Sequence, residues 1–585
     1  MIKKVKKILC WSLIGSLLGC TSIPEPKKPK LIQKGDYSYL KEYMRWFIEQ
    51  EMKEKKIVGL SVALVDDKEI VWQEGFGYAN KANNQKATPQ THYRAGSITK
   101  LFNAMAVMRL VEEGKMDIDK PFKTYLPEFS IKSRFDSDEE ITPRNMMTHH
   151  SGIPSDYLDG MFANNPHDYK NYLELSKNLY VSYSPNRVMS YSNLAITLLG
   201  YGVEEVSGEP YVNYINKNFF DPLEMKDSDL KSVLTGERAS KSYHNGEMVK
   251  EYALGMIPAG ALNTTVIDLA KLAMMINSNG MLNNKEVLKP QSLKEMFRVQ
   301  NSQVALDLGT KMGLGYFINT GILNNEESVY GHGGATIAHN SMFLVAPTSK
   351  LGVVVMANST SANTDKIARE LLKKAWEAKN AKRLIDNNIT TVLDNSLDFT
   401  GTYASVLGKL EIKKKSQNQY EVENINGTFS LKKDEKGYFG LKYKLLGFIP
   451  ISVDELSEIK LYRKNVEGYE LIVGEIEKET FLAAVRVETT PITKGWKARL
   501  GKYQILNQLE PDIFKIKEIE MKLEDGYLTA LVTMVSGDKI VEILRVINEN
   551  EVVIEGLGRG KGETIEVQSD GTLLYQGLHL QKINM

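Results

Sequence analysis

The sequence predicts an α+β domain followed by an all-β region, and two observations predict that division. At 585 residues the chain is too long for a single hydrophobic core. The apolar pattern also changes along the chain: helical and strand-like segments come first, whereas 398–585 shows only short alternating runs broken by glycine and charge. We therefore expect a folded domain at 38–380, a linker at 381–397 and a β-rich region at 398–585.

The first domain is expected to open with a helix and a β-hairpin. Apolar residues recur at helical spacing over 40–52. Residues 57–66 and 69–75 then form two strand-like runs separated by a polar turn. A second helix is predicted at 98–113, where the apolar face is broad and Gly114 follows.

The remainder of this domain alternates between helical and strand patterns. Helices are predicted near 193–206 and 265–278, and a final amphipathic helix at 364–379. Between them, 342–346 and 351–357 are predicted to be paired strands. This order favours an α+β layer fold whose sheet joins both ends of the segment.

The C-terminal region has the pattern of a β-barrel. Gly401-Thr402-Tyr403 opens it, and a similar tripeptide, Gly501-Lys502-Tyr503, appears 100 residues later. The recurrence predicts two small barrels, at 398–490 and 495–585, and one larger barrel is the alternative.

The N-terminus has the pattern of a targeting segment. Residues 1–19 combine four lysines with an apolar run that is too short to span a bilayer of ~30 Å. The run ends in Leu17-Leu18-Gly19-Cys20, which resembles a bacterial lipobox and implies cleavage before Cys20 and lipid on its sulfur. A plain secretory signal with an incidental cysteine is the alternative. We expect 20–37 to be a lipidated tether, with the folded chain outside the cytoplasm on a bacterial membrane.

Composition excludes several classes of function. The net charge is +1, and no basic stretch marks a nucleic-acid partner. The eight histidines do not show the spacing of metal ligands, so no metal site is expected. The sequence also lacks the glycine-rich loop of a phosphate-binding site, so no nucleotide or other cofactor is expected. The expected partners are a small-molecule or peptide substrate and, through Cys20, a membrane.

The first chemical motif is Ser97-Ile98-Thr99-Lys100. The pattern Ser-x-x-Lys recurs at five other serines, so it is not specific alone. Ser97, however, follows Gly96 and begins the predicted apolar helix, where Lys100 can reach back to its hydroxyl. The helix N-terminus also places backbone N–H groups beside the reacting oxygen. The alternative is an N-cap serine followed by a surface lysine.

Two further motifs are each weak alone. Tyr191-Ser192-Asn193 lies on a predicted turn into a buried helix, where a core tyrosine with a capping asparagine is the alternative. His332-Gly333-Gly334-Ala335 precedes the predicted strand pair. A strand edge without side chains lets a substrate backbone approach and offers amides to an oxyanion, although an ordinary glycine turn has the same sequence.

Taken in order, the three motifs resemble the serine β-lactamase and penicillin-binding-protein superfamily. The similarity is greatest to the class C-related branch, which includes esterases and D-aminopeptidases, and it covers roughly 38–378. The Ser-x-x-Lys motif is among the signatures of this superfamily. The resemblance implies an antiparallel sheet flanked by helices plus a helical subdomain, and barrel domains of the kind appended to some D-aminopeptidases.

The resemblance also implies a role for each residue. Ser97 would attack a carbonyl, Lys100 would take its proton, and Tyr191 would relay that proton and later activate water. Asn193 would bind the substrate amide or Lys100. The N–H groups of Ser97 and Ala335 would form the oxyanion hole, beside the glycine strand 332–335. Free lysine, with a pKa of ~10.4, is a poor base at neutral pH, so burial must lower the pKa of Lys100.

One departure from the family pattern bears on the substrate. His332 stands where these enzymes usually carry the lysine of Lys-Thr-Gly, which helps to hold a substrate carboxylate. An imidazole is mostly neutral at pH 7, so the sequence favours hydrolysis of an ester or a D-amino-acid peptide over β-lactamase or D,D-carboxypeptidase activity. The alternatives are a penicillin-binding or wall-peptide sensor with little turnover, and a structural lipoprotein.

Overall fold

The computed structural model describes residues 24–136, 140–385, 398–434, 438–445, 449–451, 459–476 and 479–583. The predicted signal peptide, Cys20 and most of the predicted linker lie outside these ranges. Within them, no helix combines the length and the apolar character that crossing a membrane requires.

An antiparallel sheet of eight strands forms the centre of the first domain. Its strand order is Lys311–Met312, Phe317–Asn319, Val329–Ala335, Asn340–Ala346, Leu351–Ala357, Gly59–Asp66, Glu69–Asn80 and Gln85–Lys86. The first strands of the chain therefore pair with the last strands of the domain, with Val62 opposite Val355. This is the joining of both ends that the sequence predicts.

Both faces of this sheet are buried, because alternate side chains of each strand point to opposite faces. Ala63 and Val354 pack with the helical layer on one side, whereas Val62 and Val353 pack against the first and last helices on the other. Strands buried on both faces explain the nearly continuous apolar run of Leu351–Ala357.

The five predicted helices lie where the sequence places them, within one to three residues at most ends, and the structure adds Pro290–Phe297 and several short helices. Those of eight residues or more are Ser38–Lys55, Thr99–Glu112, Asn193–Ser207, Val266–Asn277, Pro290–Phe297 and Thr364–Asn380. Shorter ones are Pro143–Met147, Tyr172–Ser176, Tyr211–Ile215 and Ile257–Gly260. Thr99–Glu112 is buried on nearly every side, which is why its sequence is apolar around most of its circumference.

Small sheets complete the helical side of the domain. Tyr93–Gly96, Leu262–Thr264 and Asp229–Leu230 form a three-stranded sheet. Pairs of short strands are Phe162–Ala163 with Ala253–Leu254, Ser242–His244 with Glu247–Val249, and Met281–Leu282 with Lys285–Glu286.

The C-terminal region forms two barrels of eight strands each. The first comprises Gly401–Ser405, Gly408–Ser416, Gln419–Asn424, Gly427–Lys433, Phe439–Leu445, Lys460–Val466, Tyr469–Ile476 and Glu479–Arg486, with Ile449–Ile451 as a ninth strand outside the ring. The second, which follows the short helix Lys494–Ala498, comprises Gly501–Ile505, Ile516–Glu524, Tyr527–Met534, Lys539–Val546, Glu551–Ile554, Thr564–Val567, Leu573–Tyr575 and Leu578–Lys582. The predicted α+β domain with an all-β tail is confirmed, and the tail is two barrels, not one.

The second barrel is held against the first domain by buried polar contacts. Glu563 is 1% exposed and accepts hydrogen bonds from the backbone N–H and the hydroxyl of Ser155, at 2.9 and 2.5 Å. The Leu158 amide donates to the Gln576 carbonyl at 2.9 Å, and the Tyr180 hydroxyl donates to Glu551 at 2.7 Å. These bonds fix the barrel beside the segment that leads into the helix Asn193–Ser207.

Candidate active site

Ser97 occupies a tight turn between the strand Tyr93–Gly96 and the helix Thr99–Glu112. Gly96 has φ +54°, which a residue with a side chain rarely adopts. The Thr99 hydroxyl closes the turn by donating to the Gly96 carbonyl at 2.6 Å. The turn leaves the Ser97 side chain partly exposed at the helix start, as the sequence predicts.

Lys100 lies one helical turn from Ser97 and is only 1% exposed. Its Nζ lies 3.0 Å from Ser97 Oγ and donates to Asn193 Oδ1 and to the Ala259 carbonyl, both at 2.7 Å. Burial lowers the pKa of Lys100 well below its usual value; Arg559 adds to the lowering and Asp156 opposes it. The lowered pKa favours the neutral amine, which is the form that can accept a proton.

The bonding pattern orients that neutral amine. A neutral amine has two N–H groups and one lone pair, and here both neighbours at 2.7 Å are carbonyl oxygens that can only accept. The lone pair is then left for the Ser97 hydroxyl proton. Asp156 secures this arrangement, because its Oδ1 accepts from Asn193 Nδ2 at 2.7 Å and so keeps Asn193 Oδ1 turned toward Lys100.

Tyr191 and Asn193 lie at the entrance to the helix Asn193–Ser207. The helix is capped by Ser192, whose hydroxyl accepts from the Ala195 amide at 2.9 Å, so the asparagine is not the cap and its side chain can reach Lys100. Lys100 Nζ is 4.9 Å from the centre of the Tyr191 ring. Burial raises the pKa of Tyr191, while a hydrogen bond with Ser97 opposes the rise.

The raised pKa bears on the role that the resemblance implies for Tyr191. The phenol stays protonated in the free site, so it can pass a proton on but does not start as an anion. Its ring packs on His149, with ring centres 4.1 Å apart. Burial and the proximity of Lys100 lower the pKa of His149 well below its usual value, so this histidine adds no charge beside the phenol.

The third motif is a strand of the central sheet. Val329–Ala335 pairs with Asn340–Ala346 from Tyr330 to Ala335, whereas the sequence places the motif ahead of the strand pair. At Gly334 a Cβ would lie 1.9 Å from the Ala95 carbonyl oxygen, so only glycine lets this strand lie against the segment that carries Ser97. Ala335 N lies 2.8 Å from the position that a Cβ on Gly96 would take.

His332 is buried and neutral. Burial, followed by the proximity of Lys100, lowers its pKa to about 3. Its Nδ1 lies 2.5 Å from the carbonyl oxygen of Gly333, to which it can only donate. The expectation that this position carries no cation agrees with the low pKa.

Two residues of the site have no motif in the sequence. Arg559, in the loop between Glu551–Ile554 and Thr564–Val567 of the second barrel, donates from Nη2 to Asp156 Oδ2 at 2.9 Å. Its guanidinium carbon lies 5.1 Å from the centre of the Tyr191 ring. The two partners are 403 positions apart in the chain. Neither a pattern nor a spacing could indicate the pair.

These groups open into one cleft of about 930 Å³. Ser97, Tyr191, Asn193 and the strand 332–335 line its floor. The second barrel contributes an apolar wall and one charged residue, namely Leu509, Pro511, Phe514, Ile516, Met534 and Arg559. Among the residues that the structure describes, no three His, Cys, Asp or Glu side chains are grouped as a metal site would require.

Comparison with known proteins gives one family. A family model described as Beta-lactamase matches residues 44–375. Protein flp of Staphylococcus aureus (strain MW2) is 24% identical over 339 residues, which are 55% of this chain and 64% of that protein. The match therefore spans less than two thirds of the relative's length.

Among the solved structures that resemble most of the chain are the following two. The octameric penicillin-binding protein homologue from Pyrococcus abyssi has a TM-score of 0.52 at 23% identity, covering 76% of this chain and 99% of the other. SurE, solved with D-Leu, has a TM-score of 0.52 at 18% identity, covering 75% of this chain and 98% of the other. At these identities the likeness concerns the fold alone.

Proposed function

The chain belongs to the beta-lactamase family, and we propose that it is a serine hydrolase that acts through an acyl-enzyme on an ester or on an amide of a D-amino acid. The observation that carries the proposal is the contact between Ser97 Oγ and the buried Lys100 Nζ, 3.0 Å apart, where burial lowers the pKa of the lysine. Such a pair is an activated nucleophile with its own base.

The proposed reaction has two halves. Lys100 Nζ takes the hydroxyl proton while Ser97 Oγ bonds to the substrate carbonyl carbon, and the backbone N–H groups of Ser97 and Ala335 stabilise the oxyanion. Collapse breaks the bond to the leaving alcohol or amine, which receives that proton from Lys100 through Tyr191. Water then adds to the acyl carbon, loses a proton to the same pair, and restores Ser97 as the acid departs.

The choice of substrate class depends on the strand Val329–Ala335, which contains His332. The neutral His332 offers no cation there, which supports an ester or D-amino-acid amide over a β-lactam or a D,D-carboxypeptidase substrate. The cleft volume of about 930 Å³ and its apolar wall would accommodate a bulky acyl or leaving group.

A panel of substrates tests this proposal. Hydrolysis of 4-nitrophenyl esters, D-amino-acid 4-nitroanilides and a chromogenic cephalosporin is measured for the wild type, Ser97→Ala and Lys100→Ala. We expect turnover of an ester or anilide and a loss of about 10²–10⁴-fold in both variants. Ser38→Ala is the matched control, since Ser38-Tyr39-Leu40-Lys41 has the same pattern at an exposed helix start.

Two outcomes would contradict the proposal. Equal turnover by the wild type and Ser97→Ala would exclude Ser97 as the nucleophile. A stoichiometric burst that then stops would identify a protein that is acylated once, as a penicillin or wall-peptide sensor would be.

We also propose that Cys20 is lipid-modified and anchors the protein to a bacterial membrane, with the cleft outside the cytoplasm. The lipobox-like Leu17-Leu18-Gly19-Cys20 supports this, although it lies outside the described residues. Metabolic labelling with an alkyne fatty acid should mark the wild type and leave Cys20→Ser unlabelled; equal labelling of both would reject the anchor.

A further inference from the structure

Arg559 is a cation brought into the cleft by a different part of the chain. The second barrel carries it in the loop 555–563, whose end is fixed by the buried Glu563 against Ser155. Its guanidinium lies over the Tyr191 ring. Arg559 is one of the residues that line the cleft. The side chain is therefore placed by the fold and does not hang freely from a barrel surface.

The arginine retains hydrogen-bonding capacity after it pairs with Asp156. Arginine has five N–H donors in a planar fork. The hydrogen bond from Nη2 to Asp156 Oδ2 uses one of them, and 52% of the side chain is still exposed. The exposed remainder faces a cleft, where a ligand can meet it with two parallel hydrogen bonds.

The rest of the cleft offers no competing positive charge. His332 is neutral, and Arg559 is the one lysine or arginine among the described residues that line the cleft. Asp365, a carboxylate on the lining, accepts from Arg369 Nε at 2.7 Å. The apolar residues of the barrel wall bind no charged group, so an anion entering the cleft is directed to Arg559.

We propose that Arg559 is a specificity-determining residue that binds a carboxylate of the substrate ester or amide beside Tyr191, a position different from the strand that contains His332. The inference rests on the proposed function, because it names the class of ester or amide that this site prefers. The carboxylate lies on the acyl portion or on the leaving group, and the experiment distinguishes the two.

Two matched pairs of esters test the proposal on the full chain. For the leaving group, 3-carboxy-4-nitrophenyl acetate is compared with 4-nitrophenyl acetate. For the acyl portion, the 4-nitrophenyl monoester of adipic acid is compared with 4-nitrophenyl hexanoate. The measured quantity is the ratio of kcat/KM for the carboxylated ester to that for its neutral partner. This ratio cancels any effect of a substitution on Ser97 or Lys100 themselves.

In the wild type we expect the ratio to exceed 1 for one pair, and that pair identifies the side that bears the carboxylate. Arg559→Gln should lower this ratio about 30-fold, mainly through KM, since a charge-assisted bidentate contact is lost. Arg559→Lys should lower it less, because lysine keeps the charge without the fork. Arg559→Lys also allows the test to be made if Arg559→Gln does not fold.

Arg545→Gln is the control, since it removes an arginine of the same barrel that is 48% exposed and paired with Glu555 at 2.8 Å. Its ratios should stay within about twofold of the wild type. Unchanged ratios in both Arg559 variants would overturn the inference, as would an equal loss on neutral and carboxylated esters. Such a result, with Ser97-dependent turnover of neutral esters intact, would leave the proposed function standing; no turnover of any ester would reject the function itself.

Discussion

At the scale of single residues, the site depends on keeping one lysine uncharged. Lys100 donates to two carbonyl oxygens. Two more distant charges also affect its pKa: Arg559 lowers it and Asp156 raises it. Tyr191, His149 and His332 surround the amine without adding charge, since burial keeps the first protonated and the other two neutral. The balance between burial and these two charges sets the pH at which Ser97 can be activated.

This balance predicts a pH dependence. A base acts only when it is deprotonated, so kcat/KM for 4-nitrophenyl acetate should rise as pH increases through the pKa of Lys100. Arg559 lowers that pKa, so Arg559→Gln raises it and moves the acidic limb of the profile to higher pH. Arg545→Gln should leave the limb in place. A limb that moves to lower pH in Arg559→Gln would contradict the assignment of Lys100 as the base.

At the scale of elements, the site depends on two strands whose backbones lie so close together that no side chain fits between them at Gly334. Tyr93–Gly96 and Val329–Ala335 meet at Gly334, where even one methyl group would strike the Ala95 carbonyl. Ser341 supports the same junction, because its hydroxyl donates to the Ala95 carbonyl at 2.7 Å. The glycine strand and the Ser97 turn are therefore one packed unit.

Gly334→Ala should separate these segments. We expect it to lower the free energy of unfolding of the first domain by about 1–3 kcal/mol, as overpacking does, and to reduce ester hydrolysis. Gly333→Ala is the matched control for stability, since its added Cβ would find Met342 Sδ at 3.5 Å, an ordinary contact. Urea denaturation gives the free energy of unfolding of each variant. Equal stability of Gly334→Ala and Gly333→Ala would show that the contact at Gly334 is not tighter than that at Gly333.

The elements also show how far the sequence could lead. The turn joining Ser97 to Lys100 is local, so spacing alone placed both groups within reach, and the helix predicted at 98–113 lies at Thr99–Glu112. For the segment containing His332 the sequence leaves a strand edge and a glycine turn open, because Gly333 and Gly334 have low strand propensity, and the pairing with Asn340–Ala346 shows that it is a strand.

Long-range contacts were beyond any local pattern. Asp156 lies two residues after Pro154 in an irregular segment, and Arg559 lies in a glycine-flanked loop of a barrel. Nothing in either neighbourhood indicates the other. Their pairing requires the second barrel to dock at Ser155, which is a property of the whole fold. The sequence thus indicates the proposed nucleophile and base, whereas the charged residues Asp156 and Arg559 are brought to them by the tertiary structure.

At the scale of the whole molecule, the second barrel forms a wall of the candidate active site. Glu563 is the centre of its attachment, since it also accepts from the Tyr575 hydroxyl at 2.8 Å. Burial raises the pKa of Glu563, while hydrogen bonds from Ser155 and Tyr575 oppose the rise. Removing the carboxyl would leave several buried donors without a partner.

Glu563→Ala should therefore loosen the barrel. We expect amide hydrogen exchange over 153–161 to quicken about 30-fold, corresponding to about 2 kcal/mol for the unpaired donors. Glu566→Ala is the control at the same interface, because its pair with Lys132 is partly exposed and contributes about 0–1 kcal/mol. Comparable exchange in the two variants would show that Glu563 does not hold the barrel.

The most direct test of the account is the site and rate of acylation. The protein is treated with a fluorophosphonate probe, and the adduct is mapped by mass spectrometry of peptides. We predict one adduct, on Ser97, in the wild type, and labelling slower by about 10²–10⁴-fold in Lys100→Met, because the nucleophile has lost its base. An adduct on another residue, or equal labelling rates in the wild type and Lys100→Met, would contradict the claim that a neutral Lys100 activates Ser97.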